Sequence, residues 1–115
     1  MEIKRHILMC GIAAALLFPT TAIMANSSDY DLGQQASESY QYSVALMHFA
    51  AAAEHGDKDA QRNLGLMLLY GERLYGAEVH ADQPQALRWL KLAASQGDEV
   101  SALMLRRHSV PKINR

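Results

Sequence analysis

From residue 26 onward the apolar residues recur at helical spacing, and no stretch alternates apolar and polar residues long enough to make a strand. In residues 83–96, Ala86, Trp89, Leu90, Ala93 and Ala94 fall at i, i+3, i+4, i+7 and i+8, one stripe of an α-helix. Asp82 or Gln83 can cap its start, Pro84 sits in the first turn where a missing N–H costs nothing, and Gly97 supplies the left-handed turn that ends it. Asp98 can then cap the next helix. The same Gly-Asp punctuation recurs at Gly56-Asp57, between a helix over about 41–55 and another over 58–70. An opening helix is expected from Asp29 to Glu38 with Ser28 as its cap, and a closing one from about Glu99 to Arg107.

The pattern repeats. Sliding the sequence by 41 positions superposes Ala45 on Ala86, Leu46 on Leu87, Ala52 on Ala93, Ala53 on Ala94, Gly56 on Gly97 and Asp57 on Asp98. Each unit reads as an antiparallel helix pair, and only a first helix follows Gly97. The fold class this predicts is all-α: a short α/α solenoid of about two and a half helix hairpins, occupying residues 26–107. Alanine lets neighbouring helices approach closely at high helix propensity. Phe49, Leu64, Leu68, Trp89 and Leu90 are then expected to fill the core, each worth roughly 1.5–3 kcal/mol when fully buried. Solenoids generally need about three repeats to bury enough surface, so marginal stability or self-association is expected.

Residues 1–25 have a different character. Lys4 and Arg5 precede a twelve-residue apolar run from Ile7 to Phe18, followed by Pro19, two threonines and a small-residue exit at Ala25. This is the layout of a secretory signal. Twelve helical residues reach ~18 Å against a hydrocarbon core of ~30 Å, so no stable membrane span is expected after cleavage. Cleavage is placed after Ala25, and a periplasmic or secreted protein follows. Cys10, the single cysteine, would leave with the signal. Bulky Met9 and the short apolar stretch before Cys10 argue against lipid attachment there.

Cleavage would leave nine basic and eleven acidic residues, a near-neutral balance with no electrostatic footprint for nucleic acid. The chain opens acidic with Asp29, Asp31 and Glu38 and ends basic, and residues 108–115 read as a solvated basic tail. No phosphate loop, nucleophile elbow or H-E-x-x-H is present, and His48 and His55 lack metal-ligand spacing. No cofactor, metal site or catalytic residue is expected. The apolar Leu74, Tyr75 and Val79 in the long connection over 72–81 are expected to fold back over the helix pair.

Ala60 through Leu64-Gly65 to Tyr70-Gly71, continued by Asp82, Ala86, Trp89, Ala93-Ala94 and Gly97, resembles a Sel-one-like repeat of the tetratricopeptide-like superfamily. Leu68 departs from the family's usual tyrosine, and the connection is longer than usual. The first unit, with Gly33, Tyr42, Ala45, Phe49 and Ala52, is similar to a plain tetratricopeptide repeat. The resemblance implies that first helices line a concave surface gripping a protein or peptide partner. By position, that surface would present Tyr30, Asp31 and Gln34 from the opening helix, Arg62, Asn63, Leu66 and Tyr70 from the third, and Met104 and Arg107 from the last. Some exported relatives are described as binding or hydrolysing penicillin-like compounds. They are disulfide-rich, which this chain is not, so a β-lactam enzyme stands as the alternative, beside a small regulator of an envelope enzyme.

Overall fold

The computed structural model describes residues 28–111. The signal segment, Cys10 and residues 112–115 of the tail lie outside the described residues. Within them the chain forms six helices and no strand: α1 Asp29–Glu38, α2 Tyr42–Glu54, α3 Lys58–Tyr70, the short α4 Glu72–Tyr75, α5 Gln83–Ser95 and α6 Glu99–Ser109. The all-α expectation holds.

Four of the helices begin where a short polar side chain satisfies an otherwise orphaned amide. Ser28 Oγ accepts from the Asp31 amide at 3.2 Å. Asp57 accepts from Ala60 at 2.8 Å, Asp82 from Gln85 at 3.1 Å, and Asp98 from Ser101 at 2.7 Å. The ends are equally regular. Gly56 and Gly97 take φ values of 92° and 90°, and the amides of Asp57 and Asp98 reach back to the carbonyls of Ala52 and Ala93. Helix α1 closes in the same way, the Gln41 amide bonding Ala36 O at 2.8 Å, but there the left-handed residue is Tyr40, with φ 59°. An L side chain pays about 1–2 kcal/mol in that region. Tyr40 recovers little of this by burial, since it is 80% exposed, with its ring perpendicular to that of Tyr42 at a centroid distance of 6.2 Å.

Packing follows chain order: α1 against α2, α2 against α3, α3 against α5 and α5 against α6. The seam within each hairpin is set by one glycine. A Cβ on Gly33 would lie 2.7 Å from two ring carbons of Phe49, and one on Gly65 would lie 2.8 Å from Cγ and Cδ2 of Leu90. Phe49 and Leu90 are the 41-residue equivalents, and both are buried. Ala45, Ala53, Ala60, Ala86 and Ala93 surround them with negligible exposure, and Leu64, Met67 and Leu68 complete the core. Trp89, expected inside, only packs against the edge of this core. The eighth residue past the Asp57 cap is Gly65, whereas the eighth past the Asp98 cap is Arg106, so α6 lacks the glycine that lets α5 approach α3 closely.

The long connection folds back in part. Val79 is fully buried, the Tyr75 ring meets that of Tyr42 edge-on at 5.2 Å, and the Asp82 amide bonds Leu68 O at 2.8 Å. Leu74 instead stays 60% exposed, because the single turn of α4 turns it outward while Tyr75 turns in. Helix α6 runs to Ser109, two residues beyond its expected end, which takes His108 and Ser109 out of the tail.

Gly65→Ala tests the seam. In an open helix this change gains up to about 1 kcal/mol, whereas overpacking costs about 1–3 kcal/mol. Because Leu90 and the Ala86 carbonyl, at 3.2 Å, flank the new methyl, a net loss of ~1–2 kcal/mol and a fall in Tm of ~4–16 °C are expected by circular dichroism melting. Gly65→Ala melting at or above the wild-type temperature would refute the tight seam.

Candidate functional site: the face of the first helices

Helices α1 and α3 each open a hairpin and α6 follows the second, and side chains of the three meet along one face. Gln34 and Ser37 stand three residues apart on α1; Asn63, Leu66 and Tyr70 fall at i, i+3 and i+7 on α3; Met104 and Arg107 stand three apart on α6. Between α1 and α3 lies a cleft of about 160 Å³ lined by Gln34, Ser37, Asn63, Leu66 and Tyr75, with Phe49 and Met67 at its floor. Asn63 Nδ2 donates to Gln34 Oε1 at 3.5 Å, a long contact that leaves most of both amides' hydrogen-bonding capacity free. The cleft therefore offers donors and acceptors beside the half-buried Leu66, a combination suited to an extended backbone and one apolar side chain.

Further along the face, the Tyr70 hydroxyl donates to Met104 Sδ at 3.7 Å. Tyr70 and Arg107 share a second, larger cleft of about 640 Å³ with Leu69, Arg73, Gln83 and His108. Three of the nine expected face residues thus meet in one cleft and two in another, with Met104 bonded beside the second.

The remaining three are engaged elsewhere. Arg62 Nη1 donates to Asp59 at 2.9 Å and to Asp98 at 2.7 Å, so its guanidinium fastens α3 to the cap of α6. Burial alone would raise the Asp98 carboxyl, but the Ser101 amide and the Arg62 guanidinium outweigh it and hold Asp98 below the ordinary carboxylate range. Arg62 moves the opposite way: burial favours its neutral form, and the Asp98 and Asp59 carboxylates overcome that and raise its pKa. Tyr30 turns its ring toward Phe49, centroids 5.8 Å apart, and lines a cleft with Asp57 and His55. Asp31 accepts from the Ser28 hydroxyl at 2.8 Å within the first turn of α1. None of the three lines either cleft: Arg62 and Tyr30 are held by tertiary contacts and Asp31 by a local one within α1.

Sequence reasoning missed Ser37 and Tyr75 in the first cleft and Arg73, Gln83 and His108 in the second. Ser37 was legible, being one helical turn beyond Gln34. Tyr75, Arg73 and Gln83 reach the face only through the fold of the long connection, for which no periodic signal exists. His48 Nδ1 lies 3.0 Å from Asp29 Oδ1, and His80 Nδ1 2.9 Å from Glu72 Oε1. Among the described residues no group of three His, Cys, Asp or Glu side chains is placed to hold a metal ion, and no helix is long and apolar enough to cross a membrane.

The hairpins, their Gly-Asp turns and the stacked first helices define a helical-repeat protein of the tetratricopeptide-like class. Comparison with family models matches the Sel1 repeat over residues 27–57 and again over 58–98. The chain belongs to the Sel1 repeat family. The first unit, whose spacing is similar to that of a plain tetratricopeptide repeat, is thus matched as a Sel1 repeat as well. No curated protein and no solved structure matched the chain.

Asp98→Asn keeps a capping side chain and removes the charge that Arg62 meets. Asp98 has a depressed folded-state pKa, so its stabilisation is complete above the unfolded value of about 3.9 and is lost as pH falls through the folded value. The variant is expected to be less stable than wild type at pH 7 by roughly 1–2 kcal/mol, with the gap closing below about pH 4. Denaturant melts from pH 7 to pH 2 check this; a gap independent of pH would contradict it.

Proposed function

We propose that the chain is an exported interaction module whose first-helix face holds an extended segment of a protein partner in the bacterial cell envelope. Sel1 repeats generally mediate protein–protein interaction and typically serve as non-enzymatic scaffolds. The observation that carries the reading here is the cleft between α1 and α3, where Gln34 and Asn63 present amides only loosely bonded to each other beside Leu66. Such a cleft reads a partner's main chain through the amides and one apolar side chain through Leu66. Export rests on Lys4 and Arg5, the short apolar run that follows, and the small-residue exit at Ala25.

One experiment tests both halves. A photoreactive residue is placed at Leu66 in the cleft or at Arg88, exposed on the second helix α5, and crosslinked in intact cells. Adducts from position 66 and not from 88 are expected, on a chain whose mass spectrum begins at Asn26. Equal adducts from both positions would sink the binding face; an adduct retaining residues 1–25 would sink export.

A further inference from the structure

We infer that the cleft between the end of α3, α4, the start of α5 and the end of α6 is a carboxylate-binding site, which holds a carboxylate of the partner segment. The inference deepens the proposed binding face and rests on it. Arg73 and Arg107 are 34 residues apart in sequence, yet they line the same cleft of about 640 Å³, with His108 as a third basic side chain. No aspartate or glutamate is among its lining residues. Among the described residues neither arginine has a carboxylate within ion-pairing distance, whereas Arg62 meets two.

The bland explanation covers only half of this arrangement. Arg106, Arg107 and His108 stand in the last turn of α6, where the helix dipole favours cations. That account does not reach Arg73, which belongs to α4 and enters the cleft from the other side. Each guanidinium offers a planar fork of donors that matches a carboxylate bidentately. The Tyr70 hydroxyl adds another donor, engaged only by the weak bond to Met104 Sδ and free to exchange it for an oxygen acceptor. Leu69, Val110 and Pro111 add apolar surface beside the two arginines, against which the stem of an acidic side chain can rest. Because Tyr70 continues the stripe of Asn63 and Leu66 on α3, a segment whose backbone lies in the first cleft runs directly toward the basic one.

The carboxylates can be aspartate or glutamate side chains, or the terminus of the partner chain, and peptides separate these sources. The purified chain is titrated, with amide shifts followed by NMR, against acetylated tetra-aspartate amide, acetylated tetra-asparagine with a free terminus, and acetylated tetra-asparagine amide. Saturable shifts centred on Tyr70, Arg73 and Arg107 are expected for the first or the second peptide, at least about tenfold tighter than for the third. Arg73→Gln with Arg107→Gln should weaken that binding about tenfold or more, while Arg88→Gln with Lys91→Gln, which removes equal charge outside the cleft, should leave it unchanged. Tighter binding of tetra-aspartate amide assigns side-chain carboxylates; tighter binding of free-terminus tetra-asparagine assigns the chain end. Equal losses in both double variants, or no saturation by any carboxylate peptide, would overturn the site. Shifts at Gln34, Asn63 and Leu66 that survive such a failure would leave the proposed binding face standing without it.

Discussion

The distance between the two helices of each hairpin governs the rest of the molecule. At Gly33 and Gly65 a backbone without a side chain meets Phe49 and Leu90, and there is no room for one more carbon. Alanines at the equivalent positions 45 and 86, and 52 and 93, keep the remainder of the seam equally thin. A small protein with few repeats buries little surface per residue, so dense packing at these seams supplies what a larger core would otherwise provide.

Close hairpins bring the first helices alongside one another, and the chemistry of the exposed face follows from that placement. Gln34 and Asn63 come from different repeats and meet only because α1 and α3 lie side by side. The ion pair of Arg62 with Asp98 ties α6 to the repeat before it. Asp98 serves two tasks at once, capping α6 through the Ser101 amide and neutralising Arg62. Its counterpart Asp57 caps α3, but the α1 residue that corresponds to Arg62, counted from Gly33 and Gly65, is Tyr30, an aromatic that turns to Phe49 instead. Equivalent positions in the two repeats thus carry different work: one joins hairpins, the other fills a seam.

Much of the fold was readable because helices announce themselves locally. The 41-residue period, the Gly-Asp turns and the caps at Ser28, Asp57, Asp82 and Asp98 all act within a few residues of where they are written. Tyr40 was not readable as a helix end, since a tyrosine at a left-handed position contradicts its own preference and is held there by the closure of α1. The face was legible only in part. Position within the family's repeat selects which residues of a helix share that side, and so the resemblance pointed to Asn63, Leu66 and Tyr70. It is silent on whether a neighbour claims the side chain, as Asp98 claims Arg62 and Phe49 claims Tyr30. Arg73 and Tyr75 sit in an aperiodic connection, and their places depend on Val79 burying itself and on Asp82 bonding Leu68.

The most direct test of this account is an NOE spectrum of the isotopically labelled chain. It should contain cross-peaks from the Gly33 α-protons to the Phe49 ring, from the Gly65 α-protons to the Leu90 methyls, and from the Tyr70 ring to the Met104 methyl. Absence of the two glycine contacts, with Gly33 and Gly65 amides exchanging as fast as those of exposed helix positions, would contradict the close seam and with it the face that the seam creates.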